Sequence, residues 1–225
     1  IIANYGIRKD EARSWDIGLP APAVKNIELA AHERLWVQTC TKRPYIFSFQ
    51  GRGGWLRRYG HHHWAHLREK LKELEHHGRN DDVYVKIRDE NTYWGKSGDI
   101  YDYDAVMRSS VFAGAPKGDC LFSYRFAEIM AAGAVPVVYA DEWVRPFSSV
   151  SDPNRVINWS KCAIFVPEVK ATTTINILRN ISEEVRCEMQ KCALAFWDEF
   201  ASSREGWLKG ILRWVNNDPE IRASG

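Results

Sequence analysis

The sequence predicts an α/β fold built on a doubly wound parallel sheet, and three observations carry that prediction. Short apolar runs alternate along the chain with stretches of helical period, the pattern of strand–helix–strand units. The apolar runs, such as YIFSF at 45–49 and AVPVVY at 134–139, alternate only weakly with polar residues, as parallel strands covered on both faces do. Glycines and charged residues gather just after two of these runs, where open parallel sheets bind their ligands.

The elements follow in order. Residues 1–27 read as an extended, polar lead-in that suits a crossover between domains, because Pro20 and Pro22 hold their neighbours away from helix. Tyr45–Phe49 forms the first strand and runs into a glycine-rich loop. The stretch 61–78 reads as a helix closed by Gly78. Residues 81–87 form a strand, 101–110 a short helix, and 110–116 (SVFAGAP) a further strand. A helix from Ser123 to Ala132 leads to a strand from Ala134 to Tyr139, and KCAIFVPE (161–168) is the last strand. The remainder to Ser203 is helical, and 204–225 supplies one amphipathic helix and a tail. One α/β domain therefore spans 28–203.

Composition narrows the functional classes. The 225 residues are 45% apolar and 27% charged, an ordinary globular balance, and the net charge of +2 provides no field for nucleic acid. No apolar run approaches the ~18 residues of a membrane span, and the start lacks the pattern of a signal peptide. Ile1 stands where an initiator Met would, so the chain is expected to be a piece of a longer protein. Ten tryptophans fit large aromatic cores or sugar binding. Five cysteines without a CxxC pair predict at least one thiol outside any internal disulfide. His61, His62, His63 and His66 lack a carboxylate or cysteine placed to complete a metal site, so no metal is expected.

Two loops carry candidate chemistry. In QGRGGWLRR, Gly51, Gly53 and Gly54 would let backbone N–H groups approach an anion, with Arg52, Arg57 and Arg58 adding charge. It matches neither a dinucleotide fingerprint nor a Walker motif, and a turn with solvated arginines is the equal alternative. In GAPKGDCLFSYRF, Ser123 can cap the following helix, whose first turn carries Arg125. A cation there opposes the helix dipole by about 0.3–1 kcal/mol, and a bound diphosphate would reverse that sign. Glu128 lies three residues on. It could form a surface ion pair with Arg125, or accept hydrogen bonds from a ribose diol, and the local residues leave both readings open.

The blocks Tyr103–Phe112, Ser123-x-Arg125-x-x-Glu128, Gly133–Val137, Pro146-Phe147 and Asn158-Trp159-Ser160, in this order, resemble the exostosin family, glycosyltransferase family 47. The likeness extends from about Asp16 to about Ser203. It implies a GT-B enzyme of two Rossmann-like domains, of which this chain would be the C-terminal, nucleotide-sugar-binding half. It further implies inverting transfer from a UDP-sugar to a glycan or polysaccharide acceptor, with no cofactor and no metal required. By position, Arg125 and Arg52 would face the diphosphate, Glu128 the ribose, and Ser123 the phosphate or sugar. The catalytic base would come from the N-terminal half, so the fragment alone is expected to be inactive. The whole enzyme would sit in the Golgi membrane facing the lumen, alone or as a homo- or hetero-oligomer. Lys117 stands where the family often has arginine, and Arg145 where an apolar residue usually precedes Pro-Phe. A non-catalytic module of the same fold, for protein interaction or carbohydrate recognition, is the alternative.

Overall fold

The computed structural model of the chain describes residues 3–4, 6–12, 16–23, 27–52, 63–79, 81–88, 103–118 and 120–217. Its first strands, β1 (Ala3–Asn4) and β2 (Ile17–Gly18), pair with each other in parallel. The main sheet has five parallel strands: β3 (Tyr45–Arg52), β4 (Val83–Arg88), β5 (Ser110–Pro116), β6 (Val135–Tyr139) and β7 (Ile164–Phe165). Their order is β4-β3-β5-β6-β7. The chain steps outward from β3 to β4, returns across β3 to β5, and then proceeds outward on the other side. β3 and β5 are thus neighbours whose onward connections diverge, and at such a switch point open parallel sheets bind ligands in the crevice outside the carboxyl ends of the strands.

Side-chain alternation divides the interior into two cores. Phe47, Phe49, Phe112, Val135, Val137 and Tyr139 pack on one face with Leu67 and Leu71 of α2 (His63–Glu73). Ala113, Ala115 and Val138 point to the other face. There they meet Met107 of α3 (Tyr103–Arg108) and Phe126 and Met130 of α4 (Tyr124–Ala131). α5 (Thr174–Arg179) covers the first face with Ile175 and Leu178, α7 (Arg204–Asn216) covers the second with Trp214, and α6 (Glu183–Phe196) reaches both, placing Met189 in the first core and Ala193, Leu194 and Phe196 in the second. Trp159, fully buried, donates its indole N–H to the Pro146 carbonyl at 3.0 Å. Apolar strands with both faces covered are what the weak alternation predicted.

The strand at 110–116 is observed as read, and the helix at 123–132 differs by a single residue at each end. Three elements differ more. The strand at 45–49 extends to Arg52, so Gly51 lies inside β3 opposite Ile87 and not in a loop. The expected strand at 161–168 pairs only at Ile164–Phe165, between a 3-10 turn at Trp159–Lys161 and Pro167. Helix α1 (Ala31–Gln38) has no counterpart in the sequence reading; the Glu33 carboxylate accepts the Ala30 N–H at 2.8 Å at its start.

The stretch expected as a lead-in packs against the sheet: Ile7, Ile17, Ala21 and Ile27 are buried, and Phe147 N–H donates to the Gly18 carbonyl at 2.7 Å. On the far side, α7 lies so close that a Cβ on Gly210 would sit 2.3 Å from the Phe147 ring. Disulfides Cys40–Cys187 and Cys162–Cys192 tie the turn after α1 and the approach to β7 to α6, and Cys120 is a free, exposed thiol. Among the described residues no helix is long and apolar enough to cross a membrane.

Arg43, buried at the amino edge, donates to the carbonyls of Ser110 at 2.8 Å and Ala132 at 3.3 Å. Burial lowers its pKa to about 10. Ala132 closes α4, so the guanidinium also meets the negative end of that helix. This bond fixes the foot of α4 and thereby aims its first turn at the carboxyl edge.

Candidate functional site

Arg125 lies in the first turn of α4, beside the carboxyl-terminal halves of β3 and β5. Its guanidinium carbon is 5.1 Å from the centre of the Phe49 ring and 5.8 Å from that of Tyr103. Nε donates to the Tyr103 hydroxyl at 3.1 Å, and that hydroxyl donates to Glu128 Oε2 at 2.7 Å. The two charged residues read from the sequence are therefore linked through a phenol from another helix. Glu128 is only 5% exposed, so the link is an interior one. Burial pushes the Tyr103 pKa up, with Arg125 pulling it down and Glu128 pushing it further up. The phenol thus keeps its proton and remains a donor.

Local structure explains why Tyr103 arrives there. Met107 anchors α3 in the core. Ser110 Oγ donates to the Val106 carbonyl at 2.6 Å and lies 2.7 Å from Ser48 Oγ, tying the end of α3 to β3 and β5. Gly114 on β5 provides the clearance, since a Cβ there would meet the Phe49 ring at 3.1 Å and the Phe47 ring at 3.2 Å. Phe49, Gln50, Tyr103, Met107, Gly114 and Arg125 line the resulting small cavity.

The remaining expected residues occupy the same edge. Ser123 takes the cap position of α4 in extended conformation, but its hydroxyl makes no capping bond; its carbonyl accepts the Phe126 N–H at 2.9 Å. Arg52 is the last residue of β3, in register with Arg88. The side chain of Arg52, together with Gly53, Gly54, Arg57, Arg58, His61 and His62, lies outside the described residues. Among the described residues no group of three or more His, Cys, Asp or Glu side chains is placed to share a metal ion.

Beyond β6 and β7, Lys117 Nζ pairs with Glu168 Oε2 at 2.6 Å, and the Glu168 N–H donates to the Asp141 carboxylate at 3.2 Å. Lys9 Nζ donates to the Asp141 carbonyl. Arg145 stacks over the Phe165 ring at 3.9 Å, and burial lowers its pKa. Asp141, just after β6, is thus engaged in holding β6 to the segment that follows β7. A larger groove of about 790 Å³ opens at the opposite, amino edge, beside Lys42, Arg79, Asp82 and the Cys40–Cys187 disulfide. It is roomier than the crevice but lies away from the carboxyl ends of the strands, so chemistry and topology favour the crevice.

Sequence reasoning missed Tyr103 and Gln50 as members of the site. Tyr103 is 22 residues from Arg125 and has no local spacing to betray it. Gln50 offered one signal, a polar residue directly after the apolar run YIFSF, two positions on from Ser48.

Residues 3–181 match the Exostosin GT47 domain, which is more than half of the chain. The chain belongs to the exostosin family, glycosyltransferase family 47. Exostosin-2 of Mus musculus is 31% identical over 118 residues, covering 52% of this chain and 16% of that protein. The Exostosin-1 homolog of Caenorhabditis elegans is 29% identical over 185 residues, covering 77% and 45%. The chain therefore spans less than half the length of these exostosin relatives. Among solved structures, it is similar to WaaG, a glycosyltransferase involved in lipopolysaccharide biosynthesis, at TM-score 0.44 and 13% identity, covering 81% of this chain and 52% of that one. The α/β assignment of this exostosin chain rests on its own parallel sheet.

Proposed function

We propose that this chain is the donor-binding half of an inverting glycosyltransferase that transfers a sugar from a UDP-sugar to a glycan or polysaccharide acceptor. One observation carries the reading: Arg125 is held at the start of α4, over the β3–β5 crevice, by Tyr103 and Glu128. A guanidinium and the free N–H groups of a helix start suit a diphosphate. Both stabilise the charge that develops on it as the sugar departs. Arg52 ends the adjoining strand, and this reading assigns it as the second cation for the diphosphate. Glu128 lies beside Arg125 and Tyr103, and a carboxylate is the acceptor that ribose hydroxyls call for. Ser123, whose hydroxyl is not used as a cap, is available to phosphate or sugar.

Transfer with inversion also requires a base that removes the acceptor proton. That base belongs to the N-terminal half, which pairs with this one across the cleft. Leaving-group stabilisation by arginine and helix start requires no metal in this scheme. Two disulfides fit an oxidising compartment such as the Golgi lumen, where the whole membrane-anchored enzyme would work.

Calorimetric titration with UDP in the presence of a chelator tests the reading. The parent should bind in the micromolar range, and Arg125→Ala and Glu128→Ala should each weaken binding about tenfold, near 1.4 kcal/mol. A folded parent that ignores UDP, or variants that bind it equally well, would contradict it.

A further inference from the structure

Gln50 presents a buried acceptor that no donor meets. It sits near the end of β3, in register with Lys86, and is 6% exposed. Its Oε1 is shielded from solvent and has no hydrogen-bond partner. Native interiors rarely leave such an atom unsatisfied, because the desolvation it suffers is not returned. Neither of two neighbouring polar side chains meets it: Ser48, two residues back on the same face of the strand, accepts from Ser110, and Arg125 Nε donates to Tyr103. The carboxamide lines the same cavity as Arg125, Tyr103 and Phe49, whose free volume of about 10 Å³ has room for one hydroxyl-sized or N–H-bearing group and no more.

We infer that Gln50 determines specificity in the donor site, its side-chain carbonyl accepting a hydrogen bond from a neutral N–H or O–H donor on the nucleoside part of the bound nucleotide. This rests on the proposal that the crevice binds a UDP-sugar. The chemistry separates two ends of one ligand. Arg125 attracts the anionic diphosphate, whereas a carbonyl oxygen repels phosphate oxygens and needs a proton donor. A uridine nucleoside offers two kinds, the imide N–H of the base and the ribose hydroxyls. A site with a buried acceptor discriminates strongly against a ligand that lacks the matching donor, since binding then leaves the acceptor unpaired.

Gln50→Leu removes the oxygen while keeping nearly the same shape, and replacing an orphan acceptor by an apolar group is close to neutral for folding. The ligand-free variant should therefore melt no lower than the parent, yet bind UDP about tenfold more weakly. Gln50→Met, more flexible, should behave alike and guards against a local packing fault. Three UDP analogues, N3-methylated, 2′-deoxy and 3′-deoxy, identify the donor. One of them should bind the parent about tenfold more weakly than UDP does, and bind Gln50→Leu no more weakly than UDP does. A buried water that satisfies Oε1 would show itself differently: both variants would bind UDP as the parent does, and the inference falls. It also falls if all three analogues bind the parent as UDP does. If the parent binds UDP and Arg125→Ala loses it while the Gln50 variants do not, the inference alone fails. A parent that binds no UDP overturns both it and the proposed function.

Discussion

Tyr103 donates its phenolic proton to Glu128 across 2.7 Å, joining the start of α3 to the second turn of α4 at the mouth of the crevice. The same oxygen accepts from Arg125, so one hydroxyl orients both charged side chains. Tyr103→Phe keeps the ring and removes the link, leaving the buried carboxylate one donor short at a cost of about 1–3 kcal/mol. Differential scanning calorimetry should show a midpoint lower by roughly 2–12 °C for a chain of this size. An unchanged midpoint would mean that the hydroxyl is not part of the folded network.

Gly210 brings α7 against Phe147 with no room for a Cβ. The Phe147 ring is buried, its backbone is left-handed at φ 51°, and Phe196 and Phe200 flank it at 6.1 and 5.6 Å. It cannot move aside for a new methyl group. Gly210→Ala should cost about 1–3 kcal/mol in urea denaturation, with Gly210→Val worse still.

The disulfides make a covalent prediction. Alkylation of the unfolded, unreduced chain should label Cys120 alone, with all five cysteines labelled after reduction. Loop-closure entropy puts the contribution of Cys40–Cys187, whose ends are 147 residues apart, at about 5 kcal/mol, and that of Cys162–Cys192, 30 apart, at about 4 kcal/mol. Denaturation of the Cys→Ala pairs should rank them in that order.

Much of the sheet was legible because its signals are local. SVFAGAP is a closed apolar run bounded by polar residues, and the run from Ser123 to Tyr139 switches period once, from helix to strand. What was not legible depends on distant partners. α1 has only eight residues, a short window for a periodic signal, and it gains its place from Val37 in the core and from the nearby Cys40–Cys187 bond. Arg125 and Glu128 could be picked out by spacing, but the Tyr103 bridge, the orphan oxygen of Gln50 and the Lys117–Glu168 pair arise only when separate strand ends converge. Cys187 and Cys192, five apart on one helix, turn to different partners, which no count of cysteines foretells.

Glu199 supplies a pH-dependent contact between the π-helical turn (Trp197–Ala201) and α7. Its carboxylate meets Lys209 Nζ at 2.6 Å and Arg213 Nη2 at 2.7 Å. The hydrogen bond from Lys209 leads in lowering its pKa below the usual 4.5. A lowered carboxyl pKa stabilises the folded state above the unfolded value, and that contribution is lost as pH falls through the folded one. The pair is partly solvated, so its worth is about 0.5–1 kcal/mol. Glu199→Gln should therefore melt slightly below the parent at pH 6, and the gap should close as the pH falls below about 4.

The central claim is that the β3–β5 crevice, not the larger groove at the amino edge, receives the nucleotide. A crystal structure with UDP tests it most directly. The account predicts a diphosphate within hydrogen-bonding distance of Arg125 and the first N–H groups of α4, with the nucleoside turned toward Gln50 and Glu128. UDP bound instead beside Arg79 and the Cys40–Cys187 disulfide would contradict it.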